Sequence, residues 1–62
     1  MRQGNRMYDR GSYVSIEMDV KIENLSRVLD NLSKNEKVFG IDTQFIDMGS
    51  EPFVIVKFGA RK

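Results

Sequence analysis

Two carboxylates, Glu17 and Asp19, stand two residues apart in an alternating stretch, the spacing that places side chains on one face of a β-strand. Paired carboxylates can divide the work of a general acid and a general base. Lys21 continues the same face, so a solvated charged strip explains the pattern better than a catalytic pair. The chain has no histidine and no cysteine, which removes the commonest general base and a strong nucleophile. We therefore expect a protein that is not an enzyme.

Oxygen ligands are the remaining route to a metal site, because imidazole and thiolate ligands are absent from the chain. Asp42 and Asp47 are candidates, but their spacing does not resemble a calcium-binding loop. The five glycines are scattered and form no phosphate-binding motif. The sequence predicts neither a metal nor another cofactor.

Basic residues cluster at the two ends of the chain, whereas residues 12–52 carry four basic and eight acidic side chains. Arginines interleaved with tyrosines, here Tyr8 and Tyr13, are typical of surfaces that contact phosphates and stack on bases. The candidate nucleic-acid residues are Arg2, Arg6, Tyr8, Arg10, Arg61 and Lys62. An acidic body repels phosphates, so the competing interpretation is an arm that only aids solubility.

The candidate binding residues must be held in place by regular secondary structure, and the hydrophobic periodicity of the sequence predicts strands and a helix. Residues 1–11 have no period and indicate a flexible basic N-terminal arm. Residues 12–22 alternate between apolar and polar side chains, which predicts a half-buried strand. A helix follows, with Asn24 as its N-cap and leucine and valine at helical spacing.

Residues 37–48 resume an extended pattern, and a change of parity predicts either a bulge near Phe45 or a strand whose two ends face different layers. Residues 53–58 are almost wholly apolar, which indicates a strand with a neighbour on each side. The sequence thus predicts a single α+β domain over residues 12–60, with the element order β-α-β-β. The three strands should lie in the order 1-3-2 with the helix on one face, as in half of a split βαβ (ferredoxin-like) unit. The predicted layer beneath the helix comprises Val14, Ile16, Met18, Val20, Leu25, Val28, Leu29, Leu32, Val54, Val56 and Phe58.

One helix covers one face of such a sheet, so the reverse face and the strand at residues 12–22, an edge in this order, remain available to a partner. The candidate partner-binding residues there are Tyr13, Glu17, Asp19, Lys21, Phe53 and Ile55. A chain of 62 residues without disulfides buries a small core, and self-association is the remaining source of stability. We expect a protein-binding or self-assembling module, an adaptor or inhibitor that forms a homodimer. The alternative is a nucleic-acid-binding regulator.

The segment LDNLSKNEKVFGI, residues 29–41, resembles an element of PilO-type pilus alignment proteins and of the M-type proteins of type II secretion. The resemblance extends over about residues 13–58 and implies a ferredoxin-like, non-enzymatic domain that dimerises through strands or sheet faces. No apolar run approaches the roughly 20 residues of a membrane span, and the first twelve residues lack the apolar segment of a secretory signal. We therefore expect a cytoplasmic protein.

Overall fold

The computed structural model describes residues 5–47, 49 and 51–62. They form, in chain order, β1 (Asn5–Asp9), β2 (Tyr13–Lys21), α1 (Ile22–Ser33), β3 (Val38–Ile46) and β4 (Phe53–Arg61). The strands build one antiparallel sheet in the order β1-β2-β4-β3. The predicted α+β class is confirmed. No helix of the described residues has the length and apolar character that a membrane span requires.

The sheet has four strands, so the prediction of three is wrong in its count. The three predicted strands correspond to β2, β3 and β4, which lie in the order β2-β4-β3. The additional strand, β1, falls within residues 1–11, where the sequence indicated an arm without a strand. It pairs along β2, so β2 is an interior strand and not the predicted edge.

Polar contacts hold β1 against β2. The Arg6 guanidinium donates to the carboxylates of Glu17, at 3.0 Å, and Asp19, at 3.4 Å. At the turn, the Gly11 amide donates to the Asp9 carboxylate at 2.9 Å, and φ of Gly11 is 97°, a conformation that favours glycine. The strand buries little apolar surface, which explains why hydrophobic periodicity did not predict it.

The core lies between α1 and the facing sides of β2 and β4. Its buried members are Val20, Val54, Val56 and Phe58. Around them pack Ile16, Met18, Leu25, Val28, Leu29, Leu32 and Val38. The predicted layer is confirmed except for Val14, which is half-buried and outside this cluster. The central strand, β4, is the most buried of the four, as its apolar sequence predicts.

Two local predictions are wrong. The helix begins at Ile22, and Lys21 occupies the N-cap position without a side-chain hydrogen bond, so Asn24 lies inside the first turn. The irregularity in β3 lies between Phe39 and Asp42 and not near Phe45. Gly40 has a φ of 65° there, a left-handed conformation that lets the strand bend at this bulge.

Candidate functional site

The sheet face opposite α1 carries a trough between Tyr8 on β1 and Phe39 on β3. The strand register aligns Tyr8 with Ser15 on β2, Ser15 with Gly59 on β4, and Gly59 with Phe39. Two large aromatic side chains therefore flank two small residues. The result is a concavity of about 260 Å³ that is open to solvent. We call this concavity the trough.

Gly59 allows aromatic side chains of different strands to meet. The Phe39 ring lies directly on the Gly59 backbone, because a Cβ at that position would be 2.5 Å from the Phe39 Cζ atom. Tyr13 reaches the same ring from β2, with the ring centroids 5.3 Å apart and the planes at 68°. This edge-to-face contact crosses β4 and fixes both rings at the wall of the trough.

Three cations accompany the rings. The Arg10 guanidinium lies 5.3 Å from the centroid of the Tyr8 ring, and the Arg61 guanidinium lies 5.9 Å from that of Phe39. Lys57 lines the trough. Within the described part of the chain, none of these three side chains forms an ion pair with a carboxylate. The charges of Arg10 and Arg61 are available to an anionic ligand, whereas Lys57 lies between Glu17 and Asp42 in the strand register.

Two carboxylates nearby are already occupied by other cations. Glu17 accepts a hydrogen bond from Arg6, and this contact raises the pKa of Arg6 against the opposing effect of desolvation. Asp9 accepts a hydrogen bond from the Lys62 ammonium at 2.8 Å. This bond, aided by the Gly11 amide, lowers the pKa of Asp9 below its usual range. The repulsion that these carboxylates would exert on a phosphate is therefore reduced.

The residues predicted for nucleic-acid binding divide into three groups. Tyr8 and Arg10 line the trough, and Arg61 lies over the ring of Phe39 at its wall. Those bound to carboxylates are Arg6 and Lys62. Arg2 lies outside the described residues.

The residues predicted for a protein partner are also divided. Tyr13 belongs to the trough, while Glu17 and Asp19 both bind Arg6, which argues for a structural role of this carboxylate pair. Lys21 is exposed at the end of β2. Ile55 retains only 9% of its exposure and Phe53 is half-buried, so the predicted exposed apolar pair on this face is wrong.

Sequence reasoning missed Phe39, Lys57 and Gly59 as members of one site. A glycine inside an apolar strand is the signal that could have found it, because such a glycine often marks the close approach of another group. Among the described residues, no three acidic side chains come together as metal ligands. Asp42 and Asp47, the candidate metal ligands of the sequence, therefore belong to no such group.

Comparisons with known proteins return no match to this chain among family models, curated proteins or solved structures. The resemblance to PilO-type and M-type proteins therefore stays a prediction.

Proposed function

We propose that the trough binds the unpaired bases of single-stranded nucleic acid, and that the protein is a non-enzymatic binding module. The observation that carries this proposal is the meeting of three aromatic rings and three cations on one sheet face. The rings belong to Tyr8, Tyr13 and Phe39, and the cations to Arg10, Lys57 and Arg61. Bases stack on aromatic rings in a sequence-tolerant way, and cations attract the phosphates that link them.

The sheet supplies a platform of suitable width. Tyr8 and Phe39 lie on the two outer strands, three inter-strand spacings apart, which is about 14 Å between their backbones. Four-stranded sheets with surface aromatics bind splayed bases in RNA-recognition modules. We infer further that β2, α1, β3 and β4 form half of a ferredoxin-like unit to which β1 adds a strand. The fold alone does not carry the function, which rests on the side chains.

Single strands suit this surface better than duplexes. A ring stacks only on a base whose face is exposed, and the bases of a duplex are covered by their neighbours. A duplex can therefore engage the cations Arg10 and Arg61 through its phosphates but cannot use the rings. We expect single strands to bind more tightly than a duplex of equal length.

The second candidate is the protein-binding function that the sequence favoured. This function was argued from an exposed Ile55 and from an unpaired edge at β2. In the structure Ile55 is buried and β1 pairs along β2. Exposed apolar side chains lie instead on the two outer strands: Phe45, 59% exposed, and Ile41, 39% exposed, on β3, and Met7, 68% exposed, on β1. The β3 edge therefore offers a protein partner more exposed apolar surface than the trough does.

Binding is tested by fluorescence anisotropy with labelled oligo-dT, oligo-U and a duplex at low salt. Tyr8→Ala removes one exposed ring, and each lost base stack costs about 1–3 kcal/mol, which weakens binding by roughly 5-fold to 150-fold. Met7→Ala is the matched control, because Met7 precedes Tyr8 on β1, points to the opposite face and is 68% exposed. Its affinity should equal that of the wild type.

The salt dependence tests the cations separately. Arg10→Ala should reduce the slope of log affinity against log salt by about 1, because one phosphate contact is lost. Arg27→Ala, an exposed arginine on α1, should leave the slope unchanged. Undetectable binding to all three oligonucleotides at low salt would rule out the proposal. So would a Tyr8→Ala protein that binds as tightly as the wild type.

A further inference from the structure

We propose that a second copy of this chain pairs with the outer edge of β3, which extends the sheet from four strands to eight. In the described part of the chain, β3 is the last strand of the sheet and has β4 on one side only. The backbone groups on its other side therefore have no strand partner. Such an edge is a template for pairing with another chain.

The two edges of the sheet differ in ways that favour β3. The β1 edge is five residues long and carries the charged side chains of Arg6 and Asp9. β3 is nine residues long, and its residues 43–46, Thr-Gln-Phe-Ile, carry no charge. The bulge at Gly40 bends the first part of β3, so residues 43–46 are the segment that remains regular enough to pair.

Phe45 supplies the apolar contact that such pairing needs. It lies on the helix side of the sheet, aligned with Val54 of β4. The contacts of α1 run mainly to β2 and β4, and the Phe45 side chain on β3 stays 59% exposed. A two-fold axis at Phe45 brings the rings of the two copies opposite each other, and cross-strand aromatic pairs stabilise antiparallel strands.

The charges on β3 are compatible with this arrangement. Asp42 is the one charged residue of the strand. A register centred on Phe45 separates the Asp42 carboxylates of the two copies by six strand positions, about 20 Å, where their repulsion is screened at physiological salt. Residues 44–46 of the two copies therefore pair without a charge, and Asp47 of each copy lies across from Thr43 of the other, one position from its Asp42.

The pairing stands independently of nucleic-acid binding but has a consequence for it. A two-fold axis between antiparallel edge strands runs perpendicular to the sheet, so the same face of both copies points in one direction. The two troughs then lie on one continuous surface. A dimer that binds nucleic acid should accommodate a longer single strand than a monomer does.

Sedimentation equilibrium over a range from low micromolar to near-millimolar protein tests the pairing. The mass should rise from the 7.2 kDa of the monomer toward twice that value. Phe45→Lys removes an apolar contact from both copies and should raise the dissociation constant at least about 100-fold. Met7→Lys, on the other outer strand and 68% exposed, is the control and should dimerise like the wild type.

Cross-linking locates the interface, and the absence of cysteine from the chain makes single-cysteine variants unambiguous. After oxidation, Phe45→Cys, which faces its own copy across the two-fold axis, should yield disulfide-linked dimers, whereas Thr43→Cys, four strand positions or about 13 Å from its copy, should not. Ser26→Cys, on the exposed side of α1, should not. A wild type that stays at the monomer mass would overturn the proposal, as would a Phe45→Lys protein that dimerises normally. Cross-linking through Ser26→Cys alone would place the interface on the helix and would also overturn it.

Discussion

The Phe39 ring occupies the space that a side chain on Gly59 would fill, with its Cζ atom 2.5 Å from the ideal Cβ position. Gly59 is itself buried, although it lies on the sheet face that α1 leaves open. The Phe39 ring therefore shields the Gly59 backbone from water, as the residue's own side chain does at other positions of the sheet. The same arrangement lets Tyr13 reach Phe39 across β4.

A double-mutant cycle tests this relationship. In a strand interior, Gly→Ala ordinarily stabilises by about 0.5–1 kcal/mol because glycine loses more backbone entropy on folding. In the wild type, Gly59→Ala must also displace the Phe39 ring and its contact with Tyr13, at a cost of about 0.5–1.5 kcal/mol. We expect no net stabilisation in the wild type and a gain of about 0.5–1 kcal/mol in the Phe39→Ala background. Urea unfolding of the four proteins measures the difference, and an equal gain in both backgrounds would contradict the contact.

Arg6 is the residue whose loss should loosen β1. Arg6→Met keeps the apolar stem but removes the charge-assisted hydrogen bonds to Glu17 and Asp19. Amide hydrogen exchange should become faster in β1, while the amides of β4 keep their protection because the core is unaltered. Lys34→Met is the matched control, because its exposed pair with Asp30 contributes little. Unchanged exchange across residues 5–9 in Arg6→Met would show that these contacts do not hold the strand.

Hydrophobic periodicity was sufficient to predict β2, α1 and β4, because each buries one stripe of apolar side chains in the same core. For example, Val56 follows the period of two of its strand and Leu29 follows the period of 3.6 of its helix, and both side chains point into the core. β1 has no such stripe, since its contact to β2 runs through Arg6 and the carboxylates. The signal that could have indicated β1 is the turn at Asp9 and Gly11, a pairing of residue types that commonly closes hairpins.

The trough could be predicted only in part. The sequence indicates the basic, tyrosine-containing N-terminal segment and Arg61, and it places Tyr13 both among the stacking tyrosines and among the protein-binding residues. That Tyr13 and Phe39 meet depends on the register of β2 and β3 on opposite sides of β4. The bulge at Gly40 shifts that register by one position after Phe39, so alternation within β3 alone does not show which side chains share the open face.

Asp9 should show a pH-dependent contribution to stability. Because the Lys62 ammonium and then the Gly11 amide lower its pKa in the folded state, the stabilisation is present above the pKa of the unfolded chain. It is lost as the pH falls through the lower pKa of the folded state. An NMR titration should find the Asp9 pKa below the usual aspartate range and find it raised in Lys62→Met. Lys37→Met removes the same charge elsewhere and should leave it unchanged, whereas an equal effect of both variants would indicate a general charge effect.

Val56 should be the most sensitive valine in the described core, because it alone is fully buried, with 0% exposure. Val56→Ala removes the equivalent of two methylene groups and leaves a cavity that α1 and the neighbouring strands cannot fully close, at a cost of about 2 kcal/mol. A domain of this length has a free energy of unfolding of only about 3–9 kcal/mol, so the loss is a large fraction of the total. Val14→Ala is the matched control, because Val14 lies on β2, on the same face of the sheet as Val56, but is half-buried and outside the core cluster. This substitution should cost less than about 1 kcal/mol. Urea unfolding that gives equal losses for the two variants would mean that the core is not centred on β4.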